Sequence, residues 1–261
     1  MYNICDEMLD YHASPIIIPS RGGGRVIKDE SEKILEISES AILGGLTALI
    51  YTMQLITGIG TAISYLSLIP LFYAGRRSLS EWVRVSIVSA VFIFTFNDIG
   101  GSLFFILFMV PLSLSLVIRF YDYPLAVSSI PIFSSLILIL SKFSWVVGFS
   151  IPPFLKDFWV ILAFGFSILI VEVFLRFIHN VIEKFEIDSR GRIDISSAWF
   201  LVFGSIVVFS AYGLSFSTIM SIGVIYLTFF FEIAYASLMK ESLKVFKRVV
   251  DYILGVIRHI P

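Results

Sequence analysis

Glu172, Arg176 and His179 stand at i, i+4 and i+7 of one long apolar run, a spacing that puts all three on one helix face. A carboxylate, a guanidinium and an imidazole on one face can pass a proton, bind a cation or close an internal ion pair. A second carboxylate, Glu232, lies at similar depth in a later apolar run. If the two helices are neighbours, Glu172 and Glu232 can face a common cavity, and ionisable groups at such depth are functional candidates by default. The alternative is a Glu172–Arg176 pair, with Glu232 neutralised by Lys or Arg or reaching the interface. The nearness of these groups to the ends of their runs favours that alternative. Asn97 and Asp98 form a third candidate: together they can bind a polar solute, or Asp98 can cap the following helix by accepting from its free N–H groups.

Other chemistries find no foothold. The sequence holds no HExxH, GxSxG, P-loop or paired-aspartate prenyltransferase motif, so an enzyme is not the expected reading, and an intramembrane enzyme with a degenerate site stands as a third alternative. Its imidazoles are His12, His179 and His259, a poor set for two axial haem ligands, and no cofactor is expected. Cys5 and His12 beside Asp6 and Asp10 match no metal-site spacing, so no metal is expected either. As the single cysteine, Cys5 excludes an internal disulfide. Arg21 and Arg25 flank Gly22-Gly23-Gly24, but without a P-loop pattern or a neighbouring strand the run reads as a linker.

These candidates need elements to hold them, and composition names the solvent. The chain has 261 residues, 57% of them hydrophobic and 15% charged. Soluble domains run at roughly 45–50% apolar and about 25% charged. Several runs approach the ~20 residues that cross a ~30 Å hydrocarbon layer. The reading is an all-α, polytopic helical membrane bundle. Eight spans are expected, at about 41–58, 60–75, 84–97, 101–119, 124–141, 157–179, 197–213 and 216–239. The apolar stretch from Ala41 to Gly75 is too long for one crossing and folds back at Gly58-Ile59-Gly60. Residues 143–156, broken by Pro152 and Pro153, read as a re-entrant or interfacial piece, with Trp145 and Trp159 near the headgroups.

Around this bundle, residues 1–40 form a cytoplasmic arm with a short surface helix over 28–40, including a Lys28/Glu32 pair. Residues 240–261 form an amphipathic basic tail expected along the inner interface. Of the 19 Lys and Arg residues, all but Lys142 and Lys156 fall on one side of this scheme. Because Lys and Arg near spans stay on the cytoplasmic side, both termini are expected there, in a multi-pass protein of the cell (inner, cytoplasmic) membrane. Asp6, Glu7 and Asp10 occupy the place of an apolar signal core, so no cleavable signal peptide is expected. The lipid bilayer is the first expected partner, and no basic soluble domain points to nucleic acid. Comparing the first four spans with the last four gives no convincing repeat.

Small residues mark one further surface. Ala41 and Gly45, and Gly44 and Ala48, form small-x-x-x-small steps along the first span, which let another helix approach closely. The run Glu39-Ser40-Ala41-Ile42-Leu43-Gly44-Gly45-Leu46-Thr47-Ala48 and the later Pro70-Leu71-Phe72-Tyr73-Ala74-Gly75-Arg76-Arg77 carry a resemblance. Over residues 39–120 the chain is similar to the YybS-like family of membrane proteins, distantly akin to substrate-binding components of energy-coupling-factor transporters. That resemblance implies docking of Ala41, Gly45 and Ala48 against a separate coupling subunit. The chain departs from the transporter components in its eight expected spans against their usual six, in a Gly replacing one Ala, and in its N-terminal arm. The expected function is an integral membrane subunit binding or transporting a small solute with partner subunits. The competing expectation is a non-catalytic scaffold or assembly subunit of a larger membrane complex.

Overall fold

The computed structural model of the chain describes residues 24–57, 63–121, 123–148, 150–185 and 197–258. Regular structure among them is helical throughout. The helices are α1 (Gly24–Thr57), α2 (Leu68–Arg77), α3 (Leu79–Phe96), α4 (Ile99–Phe104), α5 (Val110–Phe120), α6 (Leu125–Lys142), α7 (Ser144–Val147), α8 (Lys156–Phe185), α9 (Ser197–Tyr212) and α10 (Phe216–Arg258). The chain divides at Ser38 into two compact units. In the first, residues 24–38 are described and are helical. The packing and the cavities described below concern the second, Glu39–Pro261.

Six stretches among the described residues are helical, long and apolar enough to cross a membrane: Ile34–Gln54, Leu79–Phe96, Ile99–Phe120, Leu125–Lys142, Phe158–Asn180 and Phe216–Tyr235. They make the chain a multi-pass helical membrane protein. The other two expected spans are shorter. One is α9, apolar over Trp199–Tyr212. The other, expected over 60–75, consists of a 3₁₀ turn, Ile63–Ser67, leading into the ten residues of α2. Pro70 explains the tighter start: it has no N–H to bond the carbonyl four residues back and its ring crowds that carbonyl. Hydrogen bonds fix both ends of this piece against α1. Ser64 Oγ donates to Gln54 Oε1 at 2.5 Å, and Arg77 Nη1 donates to Glu39 Oε2 at 2.6 Å. The piece therefore runs beside α1 from Gln54 back to Glu39. The Glu39 carboxylate also raises the Arg77 guanidinium above its ordinary pKa, chiefly through that hydrogen bond.

The remaining boundaries have local causes. Helix α3 begins a turn earlier than the expected span because Ser78 caps it, its Oγ accepting from the Glu81 N–H at 3.0 Å. Between α4 and α5 the helix widens to a π-helix over Phe105–Met109, immediately before Pro111. A proline ring inside a helix displaces the carbonyl four residues back, here that of Leu107, and the wider turn accommodates it. Residues 143–156 contain no membrane-length helix among the described residues. They form the single turn α7, an extended stretch and the 3₁₀ turn Pro153–Leu155. The expected basic tail is no separate helix, since α10 continues unbroken to Arg258 with no proline inside it. The expected irregular arm lies outside the described residues except at its end, where Gly24 opens α1. Cys5, His12, His259 and most of the 180–196 loop also lie outside them.

Two clusters fill the interior. One joins Tyr51, Phe72, Phe105, Met109 and Leu112; the other joins Ile130, Phe133, Phe164, Val208 and Ile225. Helix α6 is the central post, buried without interruption from Ala126 to Ser135. Outward faces carry the opposite pattern: Phe166, Leu169 and Val173 on α8, and Trp199, Phe203 and Ile206 on α9, are exposed. A soluble protein rarely shows such continuous apolar surface, whereas hydrocarbon solvates it. Many buried hydroxyls are satisfied within the chain, in line with the demands of a membrane interior, while Ser86 Oγ, Ser134 Oγ and the Tyr212 hydroxyl have no hydrogen-bond partner. Ser115 and Ser167 donate to carbonyls one turn back, and Trp82 Nε1–H donates across to Ser113 Oγ at 2.9 Å.

Candidate functional site

The two ends of the bundle differ in chemistry. One end, here the arginine end, gathers Arg76 and Arg77 in the last turn of α2, Arg119 in the last turn of α5, and Arg176 of α8. At the other end lie Gln54, Ser64, Asp98 and the α7 segment. A cavity of ≈820 Å³ opens there, lined by Tyr51, Gln54, Ser64, Asp98, Phe104 and Trp145 among others. That volume lies within the ~300–1,000 Å³ of small-molecule sites.

Each lining group is held by a specific contact. Tyr51 is buried; its hydroxyl donates to the Gly101 carbonyl at 2.8 Å, and its ring meets Phe105 edge-on at 5.0 Å. The Ser64–Gln54 bond fixes the amide on the facing wall. Asp98 is the N-cap of α4, its Oδ1 accepting from the Gly101 N–H at 3.1 Å. The capping expected of Asp98 is thus present, and the same carboxylate lines the cavity and is exposed. Gly101 packs closely beside it: a Cβ there would stand 2.8 Å from Asp98 Oδ1 and 2.9 Å from Asn97 Nδ2, so the two side chains would have to shift. Trp145 and Phe104 supply aromatic surface, Trp145 from the single turn α7. One carboxylate, an amide and hydroxyls on one side, with aromatic faces on the other, suit a small solute that combines a hydrogen-bonding or cationic group with an apolar body.

The other expected site residues disperse. Asn97 ends α3 beside this cavity without lining it, and neither its Oδ1 nor its Nδ2 has a hydrogen-bond partner. Glu172 Oε1 accepts from Arg176 Nε at 3.0 Å, an i,i+4 pair in which the arginine side chain is 77% exposed and the glutamate 35%. Glu232 is engaged elsewhere: its Oε2 accepts from the Ala126 N–H at 2.6 Å, in the first turn of α6. Neither carboxylate lines the cavity. Each has a structural partner of its own, which leaves nothing here to support a shared Glu172–Glu232 ion site.

The small residues of α1 split by face. Gly44 and Ala48 are buried within the chain; a Cβ on Gly44 would meet Val88 Cγ1 at 2.6 Å, and the Gly44 carbonyl accepts from Ser89 Oγ at 3.2 Å. Their smallness serves the α1–α3 contact. Ala41 is exposed, and a Cβ on Gly45 would meet nothing within 4 Å, so among the described residues that face is uncovered. Sequence reasoning overlooked Tyr51, Gln54, Ser64 and Trp145. The signal available for two of them was a tyrosine and a glutamine three residues apart, sharing one face at the end of an apolar span. Comparison with protein-family models, with curated proteins and with solved structures finds no match.

Proposed function

We propose that this chain is the solute-binding subunit of a membrane uptake system, with the Asp98 cavity as its binding site. The observation that carries the reading is the cavity itself: ≈820 Å³, one exposed carboxylate, an amide fixed by Ser64, and aromatic walls. In this reading the chain crosses the membrane eight times, α9 and the Ile63–Arg77 piece supplying the two shorter crossings. The arginine end faces the cytoplasm of a cell membrane, because Lys and Arg flanking spans are retained there. The cavity then opens outward, where a solute arrives. The similarity of residues 39–120 to the YybS-like family agrees with this assignment. Partner subunits for energy coupling belong to the same reading, with the uncovered Ala41–Gly45 face of α1 as the approach for one of them.

The test is thermal unfolding of the purified chain in detergent against a panel of small amines, amino acids and aromatic heterocycles. A binding solute raises Tm by mass action. Asp98→Asn keeps a good helix cap but removes the charge, and Gln54→Leu removes the amide. Both abolish the shift; Asp98→Asn melts without solute near the wild type, and Gln54→Leu at a lower Tm because Ser64 Oγ loses its acceptor. A shift that survives both substitutions places the site elsewhere.

A further inference from the structure

A second cavity, of ≈460 Å³, lies at the arginine end, where the last turns of α2 and α5 meet α8. Arg119, Arg176 and His179 line it together with the apolar side chains Phe72, Phe120 and Leu175. The Arg119 Nη1–H donates to the Tyr123 carbonyl at 2.9 Å, while its buried Nε has no hydrogen-bond partner. Arg176 is tied to Glu172 through Nε and exposes most of its side chain. Behind the aromatic wall lies Arg76, only 5% exposed, its guanidinium carbon 4.3 Å from the Phe120 ring centroid. The Tyr121 hydroxyl donates to the Arg76 carbonyl at 2.7 Å and is kept protonated by burial, which pushes its pKa up.

A structural explanation accounts for part of this charge. Cations near helix C-termini offset the negative end of the helix dipole, and Arg119, one residue before the end of α5, does so. It does not account for Arg176 and His179, because α8 continues past both to Phe185. Arg176 is balanced in part by Glu172, yet it and His179 share a cavity with Arg119, whose buried Nε has no hydrogen-bond partner. Guanidinium groups match phosphate oxygens in geometry and charge, and basic pockets between membrane helices are suited to phosphorylated headgroups.

We propose that this cavity binds the phosphate group of an anionic ligand, its oxygens among Arg119, Arg176 and His179 and any apolar portion along Phe72, Phe120 and Leu175. Two sources carry that chemistry, an anionic membrane lipid and phosphate free in the aqueous phase. The apolar wall, and its place where the membrane-length stretches Ile99–Phe120 and Phe158–Asn180 end, fit the lipid.

The full chain, purified and delipidated in detergent, is melted against short-chain phosphatidylglycerol, short-chain phosphatidylcholine and inorganic phosphate. Phosphatidylglycerol is expected to raise Tm where phosphatidylcholine does not. The double variant Arg176→Gln/His179→Gln is expected to need about tenfold more lipid for the same shift, the loss of one charge-assisted contact. Asn180→Asp, which places negative charge on the lining and leaves Arg176 and His179 in place, is expected to weaken binding likewise. Lys142→Gln, the same loss of charge at the opposite end, keeps the wild-type response. A shift from inorganic phosphate with this variant pattern assigns the site to soluble phosphate instead of lipid. Absence of a shift with either probe, or a shift unaffected by the double variant and by Asn180→Asp, overturns the proposal.

Discussion

Glu232 is a carboxylate in the membrane-spanning part of α10, and the structure gives it a task that can be measured. Its Oε2 accepts from the Ala126 N–H at 2.6 Å, joining α10 to the N-terminus of α6 across 106 residues of sequence. Helix α6 follows Pro124, whose side chain caps nothing, so Glu232 supplies the cap from outside. Hydrogen bonds to charged groups contribute about 1.5–3 kcal/mol net. A negative charge at a helix N-terminus adds about 0.3–1 kcal/mol. Glu232→Ala is therefore expected to cost about 2–4 kcal/mol, since the N–H is also left without a partner. Glu232→Gln retains a neutral acceptor and is expected to lose about 1–2 kcal/mol of that. Reversible denaturant unfolding of the detergent-solubilised protein, followed by tryptophan fluorescence, measures both. An Ala variant within about 0.5 kcal/mol of wild type, or a Gln variant as damaging as the Ala variant, would refute the capping argument. A Glu232→Gln variant that keeps full stability yet loses proton- or cation-dependent uptake would restore an ion-site role.

Other outcomes follow from single contacts. Gly44→Ala is expected to destabilise by about 1–3 kcal/mol through overpacking against Val88, whereas Gly45→Ala is neutral or up to about 1 kcal/mol stabilising because alanine favours helix; the same unfolding assay separates them. Gly204→Ala falls in the first class, since its Cβ would stand 2.6 Å from Ile130 Cγ2 where α9 meets α6. Trp82→Phe removes the indole N–H that Ser113 Oγ accepts at 2.9 Å and is expected to cost about 1–2 kcal/mol beyond the loss of packing, read by comparing it with Trp82→Phe/Ser113→Ala.

What could be read in advance followed from solvent and periodicity. Hydrophobic runs identify membrane helices because every backbone polar group in hydrocarbon must be bonded within its own segment. The long stretches came out at their expected places, and so did the Glu172–Arg176 pair, fixed by i,i+4 spacing alone. Contacts that depend on which helices become neighbours were beyond reach. Nothing in the run around Glu232 names Ala126, and nothing around Gly44 says that Val88 fills the space above it. The Asp98 cavity has the same character, for it joins α1, the turn before α2, α4 and α7. Asp98 could be singled out as a polar residue at a turn; Gln54, Ser64 and Trp145 acquire meaning only when the ends of separate helices converge. Local proline effects lay between these cases. Pro70 and Pro111 were visible, but whether each kinks, tightens or widens its helix depends on the packing around it.

The two cavities mean what is claimed only if they open to opposite sides of a membrane. Replacing Cys5, the single cysteine, with serine and placing one cysteine at Trp145 or at His179, both exposed, gives two reporters for a membrane-impermeant maleimide. In intact cells or right-side-out vesicles the Trp145→Cys protein is expected to label at once, and the His179→Cys protein only after the membrane is opened. Labelling of both from the same face without permeabilisation would contradict the account.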